Sequence, residues 1–238
     1  MNNVTIKKFT SRDELFSAVA KACEDYLSKA INSKDKASFI VPGGTTPAPA
    51  FKELSMSNID WSKVTVAQSD ERWVDADHSH SNQRLTKENL LINNAAEASL
   101  IPMKNDSISC AEGEDKCDKA YKQLALPFSV TMLGMGLDGH FASLFPGSKE
   151  IKQGLDSSNE NLCMAIDATG CEVAGDYPQR MTLTLSAILN SQVIILLITG
   201  EDKLKVIEQA GKKNDPLTQP IAALINQSST PVEIYWAN

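Results

Sequence analysis

Long hydrophobic runs are missing from this chain of 238 residues. The longest purely aliphatic run is Val193–Ile198, far short of the roughly 20 apolar residues that a membrane-spanning helix needs. The first ten residues contain no apolar secretion segment either. We therefore expect a cytoplasmic protein that does not work at a membrane.

Cysteine pairs with metal-binding spacing are also absent. The five cysteines, an odd number, include no Cys-x-x-Cys pair, which predicts reduced thiols rather than a disulfide framework. Acidic residues outnumber basic ones and give a formal net charge of −7 at pH 7. This charge argues against nucleic acid as the main partner. It still allows an anionic small molecule, because a few local cations and backbone N–H groups can bind one.

Two catalytic signatures are missing as well. No glycine-rich stretch carries the lysine of a P-loop, and no G-x-S-x-G occurs, which argues against a serine esterase of the α/β-hydrolase type.

The chain does contain a regular alternation of short aliphatic runs with amphipathic segments, and 42% of its residues are hydrophobic. This alternation predicts an α/β fold with a mostly parallel, Rossmann-like sheet and helices on both faces. Without an evident linker or repeat, we expect one domain over residues 1–238. The predicted strands are Val4–Phe9, Ser38–Val41, Val64–Ala67, Phe128–Leu133, Leu162–Ile166, Val193–Thr199 and Val232–Trp236. The first predicted helix begins at a capping box, Ser11–Glu14, and ends at about Ala30. A short second helix contains Phe51 and Leu54. Further helices are predicted over Asn82–Leu91, Ala111–Leu124, Asp202–Ala210 and Leu217–Ile225.

Four predicted strands run directly into loops of unusual composition: VPGGTTP, QSDERW, GMGLDGH and TGEDK. Ligands of open parallel sheets bind beyond the carboxyl ends of the strands, so we expect these loops to form one site. In the first loop, Gly43, Gly44, Thr45 and Thr46 could bring backbone and hydroxyl groups to an anion, and an ordinary tight turn explains them equally well.

The third loop matches the dinucleotide fingerprint G-x-G-x-x-G at residues 134–139. A Rossmann fold needs a helix after the last glycine, but Phe145-Pro146-Gly147 would stop one early. A structural turn explains the glycines and leaves the polar pair Asp138 and His140 unexplained. We interpret the loop as a frame that presents His140 at the end of a strand.

The second loop and its continuation contain many polar side chains. Asp77, His78 and His80 match no common metal-binding spacing, and a solvated acidic loop explains them better. Arg72 could form a structural ion pair or bind a carboxylate or phosphate. Arg180 and Lys203, taken one at a time, could be solvated surface charges; together with the glycine loop they could surround one phosphate.

These motifs, in this order, resemble those of the 6-phosphogluconolactonase family, which is related to glucosamine-6-phosphate deaminase. The matching stretches are GGTTP at 43–47, DERWV at 70–74 with SN at 81–82, GMGLDGHFASLFPGS at 134–148, RMTLT at 180–184 and GEDK at 200–203. The resemblance implies a fold of the sugar-phosphate isomerase/CoA-transferase type. Thr45 stands where the family often has serine, and both carry a hydroxyl.

The resemblance also implies an activity and roles for the residues. The activity would be hydrolysis of 6-phospho-D-glucono-1,5-lactone in the oxidative pentose phosphate pathway, with no metal or organic cofactor. His140 would be the general base, oriented by Asp138 or Asp70, and Arg72 would lie at the reacting end of the sugar. The GGTTP loop, Arg180 and Lys203 would bind the phosphate. We expect a phosphosugar lactone as partner and a monomer or a homodimer.

Two alternatives remain. By the same resemblance, a glucosamine-6-phosphate deaminase would carry an acid just before Pro-Gly, where this chain has Phe145, and a phenyl ring cannot relay a proton. A non-catalytic sugar-phosphate sensor would carry a DNA-binding module, and no basic helix-turn-helix precedes the first predicted strand.

Overall fold

The computed structural model describes residues 3–238, so the first two residues of the predicted domain 1–238 lie outside the described residues. Within this range ten strands and eight helices follow one another. The strands are β1 Val4–Lys8, β2 Ala37–Val41, β3 Val64–Gln68, β4 Asp70–Arg72, β5 Ser99–Ile101, β6 Val130–Leu133, β7 Cys163–Asp167, β8 Gln179–Leu183, β9 Ile194–Thr199 and β10 Val232–Ala237. The helices are α1 Arg12–Lys34, α2 Ala48–Leu54, α3 Asn82–Asn89, α4 Cys110–Tyr121, α5 Ile151–Gly154, α6 Leu185–Leu189, α7 Glu201–Lys213 and α8 Ile221–Ile225.

Seven strands form one sheet in the order β1-β10-β9-β6-β2-β3-β5. Every neighbouring pair in this sheet is parallel. The predicted α/β class with a mostly parallel sheet is therefore confirmed.

The central strand β9 shows why helices cover both faces. Side chains alternate across a strand, so an all-aliphatic strand needs apolar cover on each side. Ile194, Leu196 and Ile198 pack into the core that also contains residues of α4 and α8. Ile195 and Leu197 pack into the core that contains the buried face of α1 and α2.

Helix α1 begins where the sequence predicts, but only half of the expected capping box forms. The Ser11 hydroxyl accepts a hydrogen bond from the Glu14 N–H at 3.2 Å. The Glu14 carboxylate instead accepts from the Thr10 hydroxyl at 2.6 Å and from the Thr10 N–H at 3.2 Å. Thr10 offers this carboxylate two donors, whereas the Ser11 N–H would offer one.

A second, three-stranded sheet with the order β4-β8-β7 was not predicted from the sequence. Its strand pairs are antiparallel, and β4 lies within the segment that we expected to be a loop. The segment Asp70–Arg72 is short and charged and shows no apolar alternation, so no local pattern marks it as a strand. Its pairing with β8, more than 100 residues later, is a purely tertiary feature.

Several helix ends differ from the prediction by one to four residues, and neighbouring residues explain two of these differences. Helix α7 continues three residues past Ala210 and ends before Asn214, whose left-handed conformation closes it. Helix α8 begins at Ile221 rather than at Leu217, directly after Pro220. Proline lacks an N–H and is tolerated at a helix start but not inside one.

All five cysteines are free in the structure, and four of them are buried. No helix in the part of the chain that the structure describes is long and apolar enough to cross a membrane.

Candidate active site

One pocket lies beyond the carboxyl ends of β9, β6, β2 and β3, which are adjacent in the sheet. All four loops singled out in the sequence contribute to its lining, so the prediction that they meet is confirmed. The second sheet adds a wall through β4 and β8. The predicted site residues that line the pocket are Gly43, Gly44, Thr46, Asp70, Arg72, His140, Arg180 and Lys203.

Two predicted residues lie outside this lining. Thr45 is exposed on the turn before α2, and its carbonyl accepts the Ala48 N–H at 3.3 Å. The threonine that faces the pocket is Thr46. Asp138 contacts the imidazole of His140 instead of lining the pocket itself.

The His140 imidazole is held by one carboxylate. Its Nδ1 lies 2.6 Å from Asp138 Oδ1, and the His140 N–H donates to the same oxygen at 3.2 Å. Burial by itself raises the pKa of Asp138, but the hydrogen bond and the charge of His140 outweigh it and hold this pKa below its usual value. An ionised Asp138 fixes the proton on Nδ1, which leaves Nε2 as the basic nitrogen. Within the described chain, Nε2 has no hydrogen-bond partner.

The loop from 134 to 140 is a turn built around this pair rather than a dinucleotide loop. The Gly136 N–H donates to the His140 carbonyl at 2.9 Å, and the Gly139 N–H donates to the Gly136 carbonyl at 3.1 Å. A Cβ on Gly136 would stand 2.3 Å from His140 Nδ1 and 2.5 Å from Asp138 Oδ1. Glycine is therefore required here because the imidazole and carboxylate lie against the backbone.

The second acid that we considered for the histidine, Asp70, does not contact the imidazole. Its carboxylate accepts hydrogen bonds from the Ser143 hydroxyl at 2.7 Å and from the Ser69 hydroxyl at 3.0 Å. Its negative charge offsets part of the lowering of the Arg180 pKa by burial, so Asp70 acts on a cation of the pocket rather than on the base. The sequence did not distinguish Asp70 from Asp138 as the acid that orients the His140 imidazole. In the structure, Asp138 is the one that contacts Nδ1.

Arg72 and Arg180 face each other across the β4–β8 pair. Arg180 is 5% exposed and donates to the Tyr177 carbonyl at 2.6 Å and to the Ala174 carbonyl at 2.8 Å. Burial lowers its pKa to about 10, with a smaller contribution from the charge of Arg72. Arg180 is thus not the surface charge that its isolated position in the sequence suggested.

Arg72 donates through Nη1 to the His80 carbonyl at 2.8 Å, while its buried Nε has no partner among the described residues. Lys203 lies in the first turn of α7, and burial lowers its pKa. Over the described residues, no carboxylate oxygen lies within 4 Å of the charged nitrogens of Arg72, Arg180 or Lys203. Three cations without a paired carboxylate line one pocket, an arrangement suited to an anionic ligand.

Glu71 and Asn82 have structural roles that the sequence did not reveal. The Glu71 carboxylate accepts the N–H groups of Asn82 and Gln83, each at 2.7 Å, and so caps α3. Burial raises the Glu71 pKa despite these hydrogen bonds. The Asn82 side chain donates to the Asp70 carbonyl at 2.8 Å and accepts from Arg72 at 3.3 Å.

Asn82 also explains why position 43 is a glycine. A Cβ on Gly43 would stand 2.0 Å from Asn82 Oδ1, so the first and second loops meet through this contact. In the sequence, the pairing of DERWV with SN singled out Asn82, but this spacing does not show which residues Asn82 contacts.

The histidines of the second loop hold no metal cluster. Nowhere in residues 3–238 do three or more His, Cys, Asp or Glu side chains converge in a way that could hold a metal ion. His78 and His80 instead pack against Tyr177, His78 edge-on with its ring centroid 5.1 Å from that ring and His80 tilted at 4.7 Å.

Comparison with known proteins places this arrangement in a family. The model of the family described as glucosamine-6-phosphate isomerases/6-phosphogluconolactonase matches residues 10–236. The chain belongs to this family. It is 37% identical to a 6-phosphogluconolactonase of Caulobacter vibrioides, over 98% of this chain and 97% of the relative. A 6-phosphogluconolactonase of Rhizobium meliloti is 36% identical, over 93% and 95% of the two chains.

Solved structures agree with this assignment. A 6-phosphogluconolactonase from Shewanella baltica superimposes with a TM-score of 0.94 at 39% identity, covering 99% of this chain and 98% of that one. A monomeric glucosamine-6-phosphate deaminase superimposes with a TM-score of 0.77 at 17% identity, covering 97% and 96%, and this likeness is evidence for the fold alone.

Phe145, the residue weighed above against deamination, packs against the imidazole of His140. Its ring is 2% exposed and lies 4.6 Å from the His140 ring, centroid to centroid. The guanidinium carbon of Arg180 lies 5.6 Å from the same ring. An apolar ring in this position cannot pass a proton to His140.

Proposed function

We propose that this protein hydrolyses 6-phospho-D-glucono-1,5-lactone to 6-phospho-D-gluconate, the lactonase step of the oxidative pentose phosphate pathway. The observation that carries the proposal is the combination of an Asp138–His140 pair, whose Nε2 is without a partner in the described chain, with three cations that lack a paired carboxylate, all at one pocket. The family and its 6-phosphogluconolactonase relatives support the same reaction.

The base in this proposal is His140. A δ-lactone is an activated ester, so water can attack it directly and no covalent nucleophile is needed. Nε2 accepts a proton from that water as its oxygen bonds to the carbonyl carbon, and the nearby Asp138 carboxylate stabilises the imidazolium that forms. When the tetrahedral intermediate collapses, the bond from this carbon to the ring oxygen breaks. The imidazolium then gives its proton to the ring oxygen, which becomes a hydroxyl.

Arg72 is the candidate for stabilising the oxyanion. Negative charge develops on the carbonyl oxygen during attack, and a donor that is already fixed in place stabilises this charge without reorganising. Arg72 is fixed through its hydrogen bond to the His80 carbonyl, and its buried Nε–H has no partner among the described residues.

The phosphate lies, in this proposal, against Arg180, Lys203 and the loop that contains Gly43, Gly44 and Thr46. Arg180 has two carbonyl contacts that hold its guanidinium in place before any ligand arrives. A dianion bound here positions the lactone without taking part in the chemistry.

A coupled assay on freshly generated lactone, corrected for spontaneous hydrolysis, tests the proposal. Ammonia release from glucosamine 6-phosphate and binding without turnover are measured in parallel. Lactone turnover well above the spontaneous rate supports the proposal, whereas ammonia release or binding alone contradicts it.

Removing either phosphate cation should weaken selection for the phosphorylated substrate. We expect Arg180→Ala and Lys203→Ala each to lose a charge-assisted contact worth ~1.5 kcal/mol, which is about tenfold in kcat/KM. Activity toward plain gluconolactone should change less, because it has no phosphate. Lys205→Ala is the matched control, since Lys205 is exposed on the same helix and pairs with Asp202 at 2.9 Å. Undiminished discrimination in both variants would contradict these roles.

Metal removal should leave the activity unchanged. The proposed steps use a side-chain base and cationic side chains, and they assign no role to a metal ion. The measurement is the rate after extensive chelation and assay in metal-free buffer. Loss of activity that Zn²⁺ restores would overturn this expectation.

A further inference from the structure

Arg180 depends on one loop for its position. Both of its hydrogen bonds go to backbone carbonyls of residues 168–178, those of Tyr177 and Ala174. The same loop contributes Val173 to the pocket wall, and this side chain is 52% exposed. The loop therefore touches the pocket and also fixes the guanidinium in it.

The two residues of this loop that contact Arg180 are held differently. Ala174 is buried in a small apolar cluster with Phe145 and Ile166. Around Tyr177 the neighbouring residues Gly175 and Asp176 are exposed and contribute nothing to that cluster. Since Tyr177 supplies the shorter of the two contacts to Arg180, whatever holds Tyr177 also governs Arg180.

Tyr177 is held by two histidines from a distant part of the chain. The rings of His80 and His78 lie 4.7 and 5.1 Å from the Tyr177 ring, and the two histidine rings are 5.7 Å apart. The His80 N–H donates to His78 Nδ1 at 3.1 Å, which fixes the histidines relative to each other. The His80 carbonyl accepts from Arg72, so this second loop is also tied to the pocket.

We propose that His78, His80 and Tyr177 are positioning residues: an aromatic clasp that holds residues 168–178 and, through the Tyr177 carbonyl, sets Arg180 for the phosphate. The proposal rests on the proposed function. None of the three rings of the clasp lines the pocket. Its effect follows from geometry, because two arginines that face each other repel, and the carbonyl contacts of Arg180 help to hold its guanidinium in place against this repulsion.

The test uses Tyr177→Ala and His80→Ala, which keep both backbone carbonyls and remove a ring. Each should raise KM for the phosphorylated lactone about 2- to 12-fold, the worth of one aromatic pair, with little change in kcat. The preference over plain gluconolactone should fall by a similar factor, and the Kd for inorganic phosphate, measured by calorimetry, should rise in parallel. If the rings act as one unit, KM of the double variant Tyr177→Ala/His80→Ala should rise by less than the product of the two single-variant increases.

Two further variants separate positioning from general damage. Tyr177→Phe keeps the ring and loses only a long 3.4 Å contact to His78 Nε2, so it should stay within about twofold of the wild type. Ser79→Ala lies between the two histidines, is exposed, and should match the wild type. If Tyr177→Ala fails to fold, His80→Ala decides, because His80 is exposed.

Unchanged KM and phosphate affinity in the ring-removal variants would overturn the clasp, as would a loss confined to kcat. The phosphate titration also separates this proposal from the lactonase proposal. Weaker phosphate binding in the variants of a protein without lactonase activity would support the clasp and contradict only the reaction.

Discussion

Replacing His140 with alanine or glutamine should lower kcat by about 10²–10⁴, the usual contribution of a positioned general base. The reason is that Nε2 is the only ring nitrogen left to accept a proton, since Nδ1 is held by Asp138 at 2.6 Å. KM should change little, because the proposed phosphate contacts come from other loops. Steady-state kinetics on the phosphorylated lactone, corrected for spontaneous hydrolysis, measures both constants.

Leu137→Ala is the matched control for this experiment. Leu137 lies in the same loop and is 61% exposed, so its loss should leave kcat near the wild-type value. A His140→Ala enzyme with near-wild-type kcat would remove the histidine from the mechanism and leave the loop as a structural turn.

Adding one methyl group at Gly136 should cost about 10²-fold in kcat, the scale expected when a catalytic group moves by roughly 1 Å. The new Cβ would stand 2.3 Å from His140 Nδ1, whereas ordinary contacts begin near 3.4 Å. The imidazole or the Asp138 carboxylate must therefore move. Gly136 is not among the glycines with positive φ, so the effect comes from this contact and not from backbone strain.

The measurement is kcat together with the thermal midpoint of Gly136→Ala, with Leu137→Ala again as control. We expect KM to change less than kcat, because the phosphate cations are untouched. Full activity in a folded Gly136→Ala protein would show that the close contact between the loop backbone and the histidine is not needed for turnover.

Six of the seven strands of the main sheet and the loops that follow them were predicted from local patterns, whereas the three-residue edge strand β5 was not. β9 is aliphatic along its whole length, and such a run indicates a strand that is covered on both faces. Loops after parallel strands gather at one edge whatever their sequence, which is why four distant loops could be expected at one pocket. His140 could be singled out for the same reason, as a polar residue just past a strand end.

The second sheet does not follow from local patterns. β4 has only three residues, two of them acidic, and its partner β8 is more than 100 residues away. Pairing of this kind is decided by which segments the larger fold brings together. Because of this pairing, Arg180, which is an isolated charge in the sequence, is a buried cation opposite Arg72.

The sequence by itself determined the parallel α/β sheet, the edge at which the loops meet and the histidine among them, because these depend on residue type and periodicity along the chain. Only the tertiary structure decided which acid supports His140, since Asp70 and Asp138 differ in their neighbours and not in their chemistry. It also decided that Thr46 rather than Thr45 faces the pocket, and that Tyr177 supplies a carbonyl to Arg180. Such contacts join segments that are distant in the chain or depend on the direction of a single side chain, and periodicity contains no information about either.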